Sequence, residues 1–407
     1  MKIRSITSFF DPKLNEIDVQ LKPLSQFSRE LRKAIEAQGF EVETTRLAAS
    51  PFASWLSGSL ADQIRRLQTL DALILANGWD YLSAGPAAPD HLGSYTLIPH
   101  FLSATQHIFF GGILSDKRAV YPSAVQACAQ IIQQASTLSP DGFANLRFAA
   151  LANVPPHAPF FPAAYHGACE SPAFSLAMEC ADEAVKAFSK ADALEEARLL
   201  FLTSLEAAAD RLTLICEHFA QQYQVVFKGF DFSPAPFPED WCSLGQAFEL
   251  LGLQRIGGAG SLAAAAFIAD ALDSGRWQHV GFNGLMLAVM EDSVLARRAA
   301  EGSLSIKDLL LYSAVCGTGL DTIPLPGDTS VEELSAILLD LASLATRLGK
   351  PLTGRLMPIP SKKVGEATEF DFGYFANSRV MRSEGQAVSP PLMSAVEIPL
   401  KPRKNIE

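Results

Sequence analysis

Cysteine is scarce: six residues in 407, at positions 128, 169, 180, 216, 242 and 316. None forms a CxxC pair and no Cys/His cluster has zinc-finger spacing, which excludes a disulfide framework and a small zinc-stapled module. Sparse, reduced thiols point to a cytoplasmic protein in which most cysteines are ordinary core residues. Long apolar runs are lacking as well. The longest, 281–290, is about half a membrane span, and it contains Asn283 and runs into Glu291-Asp292. No membrane partner is expected. The first ten residues alternate polar and apolar, without the continuous apolar stretch of a signal peptide. Positive charge is in deficit, with 33 Lys and Arg against 44 Asp and Glu and a net charge of −11. That balance opposes non-specific binding of nucleic acid or anionic lipid, yet leaves room for a local basic pocket and a small anionic ligand.

What is present is core material. Hydrophobic residues make up 48% and charged residues 19% of the chain, enough for a large globular fold. Strands are expected at 2–10, 40–46, 72–76, 106–113 and 146–153, with helices at 24–38, 60–69 and 122–135 between them. This strand–helix rhythm predicts an α/β fold with parallel pairing. From 172 to 220 the pattern reads as two helices, the second long, followed by a strand at 222–231. Helices are expected at 260–274, 292–300, 306–314 and 331–347, and strands at 285–290, 352–358 and 370–375. There is no linker and no repeat, so residues 1–400 read as one domain and 401–407 as a polar tail.

Four segments carry residues suited to chemistry. The run Cys316-Gly317-Thr318-Gly319-Leu320-Asp321, continuing to Asp328, reads as a loop between two helices. Gly317 and Gly319 allow close backbone approach to a ligand, and Cys316 is either a nucleophile facing that loop or a buried core thiol. The loop lacks the Gly-Lys-Ser/Thr ending of a phosphate-binding loop, and no nicotinamide or flavin cofactor is expected. Tyr165 and His166 close an aromatic, Pro-rich stretch after an expected strand, where a His acts as a proton carrier or as a structural hydrogen-bonding group. Asp231 and Glu291 end expected strands. Together with Asp321 and Asp328 they are possible ligands for Mg²⁺ or Ca²⁺, or else turn and cap residues. Lys362, Lys363, Asn377 and Arg379 supply a positive and polar group fitted to a carboxylate or phosphate, Arg379 bidentately.

The segments 159–166, 316–328 and 369–380 resemble a conserved uncharacterised family of bacteria and archaea, domain of unknown function 711, and the resemblance extends from the first strand to Val380. It implies a single large barrel of about ten strands in two parallel halves with surrounding helices, the pyruvate formate-lyase-like grouping. It implies no activity. Arg379-Val380-Met381-Arg382 has no glycine where a glycyl-radical loop requires one, and the Cys–Cys pair of the radical enzymes is missing, so no glycyl radical is expected.

The functional expectation is an enzyme acting on a small anionic metabolite through Cys316, His166 and acidic residues. Hydrolase, lyase and isomerase chemistry all fit. Two alternatives stand: a metabolite-binding or sensing protein without catalysis, and a divalent-metal enzyme in which Cys316 is structural. A homo-oligomer is compatible with each.

Overall fold

The computed structural model describes residues 1–14, 16–167 and 171–402, so Cys169 and most of the expected polar tail lie outside the described residues. The first half runs β1 (Lys2–Phe10), α1 (Ile17–Ala37), β2 (Val42–Ala49), α2 (Leu60–Ala76), β3 (Tyr81–Ala87), α3 (Ile98–Ala104), β4 (Ile108–Ser115), β5 (Ala119–Val120), α4 (Pro122–Ser136) and β6 (Phe148–Ala152). The second half runs β7 (Ala173–Glu179), α5 (Ala181–Phe188), α6 (Leu194–Tyr223), β8 (Val226–Asp231), α7 (Leu244–Leu250), α8 (Ser261–Asp273), α9 (Ser293–Glu301), α10 (Ile306–Ser313), β9 (Gly319–Pro326), α11 (Val331–Leu348), β10 (Leu352–Ile359) and β11 (Ile398–Pro399). No helix among the described residues is long and apolar enough to cross a membrane.

The strands form a central sheet in the order β8-β7-β1-β2-β3-β4-β6-β10-β9, with β5 pairing β4 and β11 pairing β5 at one side. Strands β1, β2, β3, β4 and β6 run parallel to one another. Strands β7 and β8 run opposite to β1 and parallel to each other, as do β9 and β10 relative to β6. The result is a mixed α/β fold: a central sheet with helices packed around it. Among the described residues no ladder joins β8 to β9. Isolated bridges do touch both edges, Phe230 with His279 and Ala288 with Asp321, both parallel.

Side-chain alternation explains how the sheet is used. Ile3, Ile6 and Phe10 of β1 join the main core with Leu21, Phe27, Leu31 and Ile35 of α1. Ser5, Thr7 and Phe9 take the opposite face, where both hydroxyls donate to the Pro159 carbonyl and Phe9 packs with Ala48 and Phe109. Every residue of β1 after Lys2 is buried, so the strand is covered on both faces. The helices begin and end on local signals. In α11, Ser330 and Glu333 form a reciprocal capping box and Gly349 closes the helix at a φ of 69°.

Four expectations are corrected. Residues 72–76 are the last turns of α2, because their apolar run continues the helix face of Leu67 and Leu70. Residues 173–179 form strand β7 between β1 and β8. The expected loop after Cys316 contains β9, buried along its whole length. Its prolines are tolerated because, among the described residues, β10 is its only laddered neighbour and Pro324 and Pro326 lie at the sheet edge. Residues 370–375 are irregular around a turn at 373–374 instead of a strand.

Candidate functional site

A cavity of about 130 Å³ lies on one face of the sheet, room for a small molecule rather than a single water. Side chains from β1, β2, β3, β4, β9 and β10 line it, along with the 160–163 loop and residues 282–291. Three guanidinium groups stand among its lining residues, from Arg4, Arg46 and Arg355. Each sits on a strand whose other residues are mostly buried.

Arg4 is aimed inward by a bulge. Ile3 pairs with Met178 and Ser5 with Ala177, so Arg4 is an extra residue in β1 against β7. Its Nη2 donates to the Pro236 carbonyl at 2.7 Å. Three carboxyl groups surround the same guanidinium: Glu43 at 3.6 Å, Glu179 at 3.5 Å and Glu291 at 3.5 Å. The ring of Tyr374 covers Arg4, with its centroid 5.5 Å from Cζ. Arg355 ties the network to the other edge, donating to Glu291 Oε1 at 2.7 Å and to Asp321 Oδ1 at 2.5 Å.

These groups do not all ionise in the usual range. Burial pushes the Glu179 carboxyl up to about 8, against the pull of Arg4 and with the help of neighbouring Glu43. Its Oε2 accepts no hydrogen bond, and the residue is 1% exposed. Glu179 therefore carries a proton at neutral pH, beside a second carboxyl that opens on the cavity. Burial also raises Glu291, opposed by Arg355.

Arg46 differs from the other two. Its Nε donates to Thr44 Oγ1 at 2.9 Å, and the rings of Phe161 and Tyr81 lie 5.2 and 5.9 Å from Cζ. Among the described residues no carboxylate stands within ion-pairing distance of it. Burial, and then the like charge of Arg4, hold its guanidinium down at about 10.

Of the residues expected from sequence, Glu291 and Asp321 meet in this cavity, through Arg355. Asp231 is fully buried elsewhere. It accepts from Ser233 Oγ at 2.6 Å and from the backbone of Phe282 and Asn283 at 2.7 and 2.9 Å, a turn-fixing role. Asp328 is exposed. These four acidic residues do not assemble, and no group of three or more His, Cys, Asp or Glu suited to a metal occurs among the described residues.

Cys316 follows α10 and is buried outside the cavity lining, its thiol pushed up to about 11 by burial. Gly319 has a φ of +97°, and a Cβ there would stand 2.2 Å from the Thr353 carbonyl, so this glycine serves the packing of β9 on β10. At Gly317 a Cβ would meet the Pro351 carbonyl at 3.3 Å. His166 is fully buried, its Nδ1 3.1 Å from His157 Nε2, and Tyr165 donates to the Val154 carbonyl at 2.8 Å.

Asn377 accepts from the Phe370 backbone at 3.0 Å, and Arg379 donates to the Gly365 carbonyl at 2.7 Å. They fasten the loop that carries Tyr374. Lys362 pairs with Glu369 at 3.1 Å and Lys363 is exposed.

Arg4, Glu43, Arg46, Glu179 and Arg355 are absent from the sequence-based set. The available signal is a single charge inside an apolar strand, as in Leu352-Thr353-Gly354-Arg355-Leu356.

Comparison with known proteins places this chain in one group. Residues 1–378 match the family model described as Uncharacterised ACR (DUF711). A UPF0210 protein of Pyrobaculum aerophilum is 32% identical over 393 residues, covering 91% of this chain and 86% of its own length. UPF0210 proteins of Methanopyrus kandleri and Acetivibrio thermocellus are 29% and 30% identical, covering 82% and 84% of this chain and 78% and 80% of theirs. The cavity-bearing α/β chain thus belongs to the uncharacterised DUF711 family, to which its sequence is matched across nearly its whole length.

Proposed function

We propose that this protein is an enzyme that binds a small anionic metabolite in the central cavity and moves a proton to or from it through Glu43 and Glu179. The observation that carries the reading is Arg46, a half-buried guanidinium that lines the cavity without a carboxylate partner among the described residues. A cation withdrawn this far from solvent is a ready seat for an anion. Across the same cavity, Glu43 faces the ligand space and Glu179 behind it holds a proton at neutral pH. A cavity-facing carboxyl backed by one whose ionisation is raised is ordinary equipment of acid–base catalysis. Cys316, with its raised thiol, takes no part in this reading, and His166 with Tyr165 serves to hold the 157–166 loop whose tip walls the cavity.

The reading extends to the architecture. Five parallel strands face five parallel segments if residues 279–288 are counted between β8 and β9, and the two isolated bridges fall at the places such a closure requires. That count supports a ten-membered barrel of the pyruvate formate-lyase-like type around the cavity.

The test is proton NMR of pooled small carboxylates and phosphates in D₂O with the full-length protein. Loss or exchange of a substrate C–H signal is expected, and it should vanish in Glu43→Gln. Binding of an anion that depends on Arg46, with no signal altered in any pool, would instead make this a binding protein.

A further inference from the structure

The surroundings of Arg46 go further, to the kind of anion. Resting on the reading above, we infer that the ligand is a small monocarboxylate with an apolar, branched or aromatic body, its carboxylate on Arg46. Three independent features support this. The first is shape. Tyr81 and Phe161 cover the guanidinium, and Thr44 takes its Nε proton, so the Nη1 and Nη2 edge is what it offers to a ligand. A planar carboxylate matches that edge bidentately.

The second feature is charge. Arg4 and Arg355 are each engaged by at least two carboxyl groups, which leaves Arg46 as the uncommitted guanidinium of the cavity lining among the described residues. Glu43, Glu291 and Asp321 line the same cavity and repel a second negative charge on the ligand. A phosphate dianion brings that second charge, while a monocarboxylate brings only the one that Arg46 balances.

The third feature is the wall beside Arg46. Phe161 packs against Phe109 with centroids 5.3 Å apart, and Phe109 packs against Tyr81 at 5.2 Å. Phe160, Phe282 and Met286 continue the same lining. A sugar or polyol phosphate would leave its hydroxyls unpaired against these side chains, whereas a hydrocarbon body gains from burial there.

Isothermal titration of the full chain at pH 7 with benzoate, 4-methylpentanoate, acetate and inorganic phosphate tests this. Benzoate and 4-methylpentanoate are expected to bind about tenfold or more tighter than acetate, from the added apolar burial, and phosphate should not bind. Arg46→Met should lose the binding, and Arg46→Lys should recover it only in part, since the charge returns without the fork. Circular dichroism melts establish that each variant is folded. If phosphate binds tighter than the carboxylates and loses affinity in Arg46→Met, the ligand class is wrong while the anion site stands. If every probe binds the folded Arg46→Met variant as it binds the parent, or none binds the parent at millimolar concentration, the anion site falls too.

Discussion

Glu179 Oε2 lies 3.5 Å from Arg4 Nη2 and still accepts no hydrogen bond. Two guanidinium groups, Arg4 and Arg355, are shared among four carboxyl groups: Glu43, Glu179, Glu291 and Asp321. Four buried negative charges cannot be held by two positive ones, and the most deeply buried carboxyl keeps its proton.

The pH dependence follows from that proton. Glu179 is raised from its ordinary value of 4.5 to about 8, so the folded state binds the proton more tightly than the unfolded chain. Its contribution to stability is present below about 4.5 and is lost as pH rises toward about 8. In Glu179→Gln, which is neutral throughout, this loss disappears. Thermal melts at several pH values should show the variant gaining on the parent between pH 5 and 8; parallel curves would mean that Glu179 is ionised at neutral pH.

Arg46 and Arg355 should respond in opposite senses to removal. Arg355→Met strands Glu291 and Asp321 and is expected to cost about 3–5 kcal/mol. Arg46→Met removes a half-buried cation that has no carboxylate partner among the described residues and should leave the unliganded protein as stable as the parent or more so. Urea unfolding of both variants without added anions measures this. A large loss in Arg46→Met would mean that the guanidinium serves the fold.

The contrast shows what a sequence displays and what it conceals. The strand–helix alternation of the first 150 residues is legible because β1 and β2 alternate polar and apolar residues, β4 and β6 are short apolar runs, and amphipathic helices separate them. Strand β7 is not, because Ala173-Phe174-Ser175-Leu176-Ala177-Met178-Glu179 runs into α5 and α6 and small residues fit either period. Strand β9 hides behind two prolines that only a sheet edge accommodates. The cavity hides most completely. Arg4, Arg46 and Arg355 are single charges on three strands, brought together only by the sheet order, and Arg4 faces inward only through its bulge. Glu291 and Asp321 are legible as acidic residues at expected strand ends or in a loop, but the arginine that joins them is not.

Cys316 should be inert. Burial pushes its thiol up to about 11, so the reactive thiolate is a minute fraction at neutral pH. Iodoacetamide applied to the native protein at pH 7, followed by peptide mapping, is expected to leave Cys316 unmodified while the same treatment in urea modifies it. Fast, selective labelling of Cys316 in the native state would restore it as a nucleophile.

Asp292 holds the segment that presents Glu291. Its carboxylate caps α9 by accepting from the Val294 and Leu295 backbone at 2.9 and 3.0 Å. It also accepts from Ser243 Oγ at 2.6 Å and from the Leu244 and Gly245 backbone at 2.6 and 3.1 Å, at the start of α7. One fully buried side chain thus serves two helix N-termini, where negative charge is favoured and unmatched N–H groups are costly. Asp292→Ala is expected to cost about 3–5 kcal/mol, one lost cap plus several buried donors left unpaired. Asp292→Asn, which keeps one acceptor oxygen, should cost less. Urea unfolding checks both. The Asn variant should also weaken benzoate binding less than the Ala variant, because Glu291 reaches Arg4 and Arg355 only while the 288–292 segment stays docked on β9 through Val289 N–H to the Asp321 carbonyl at 3.1 Å.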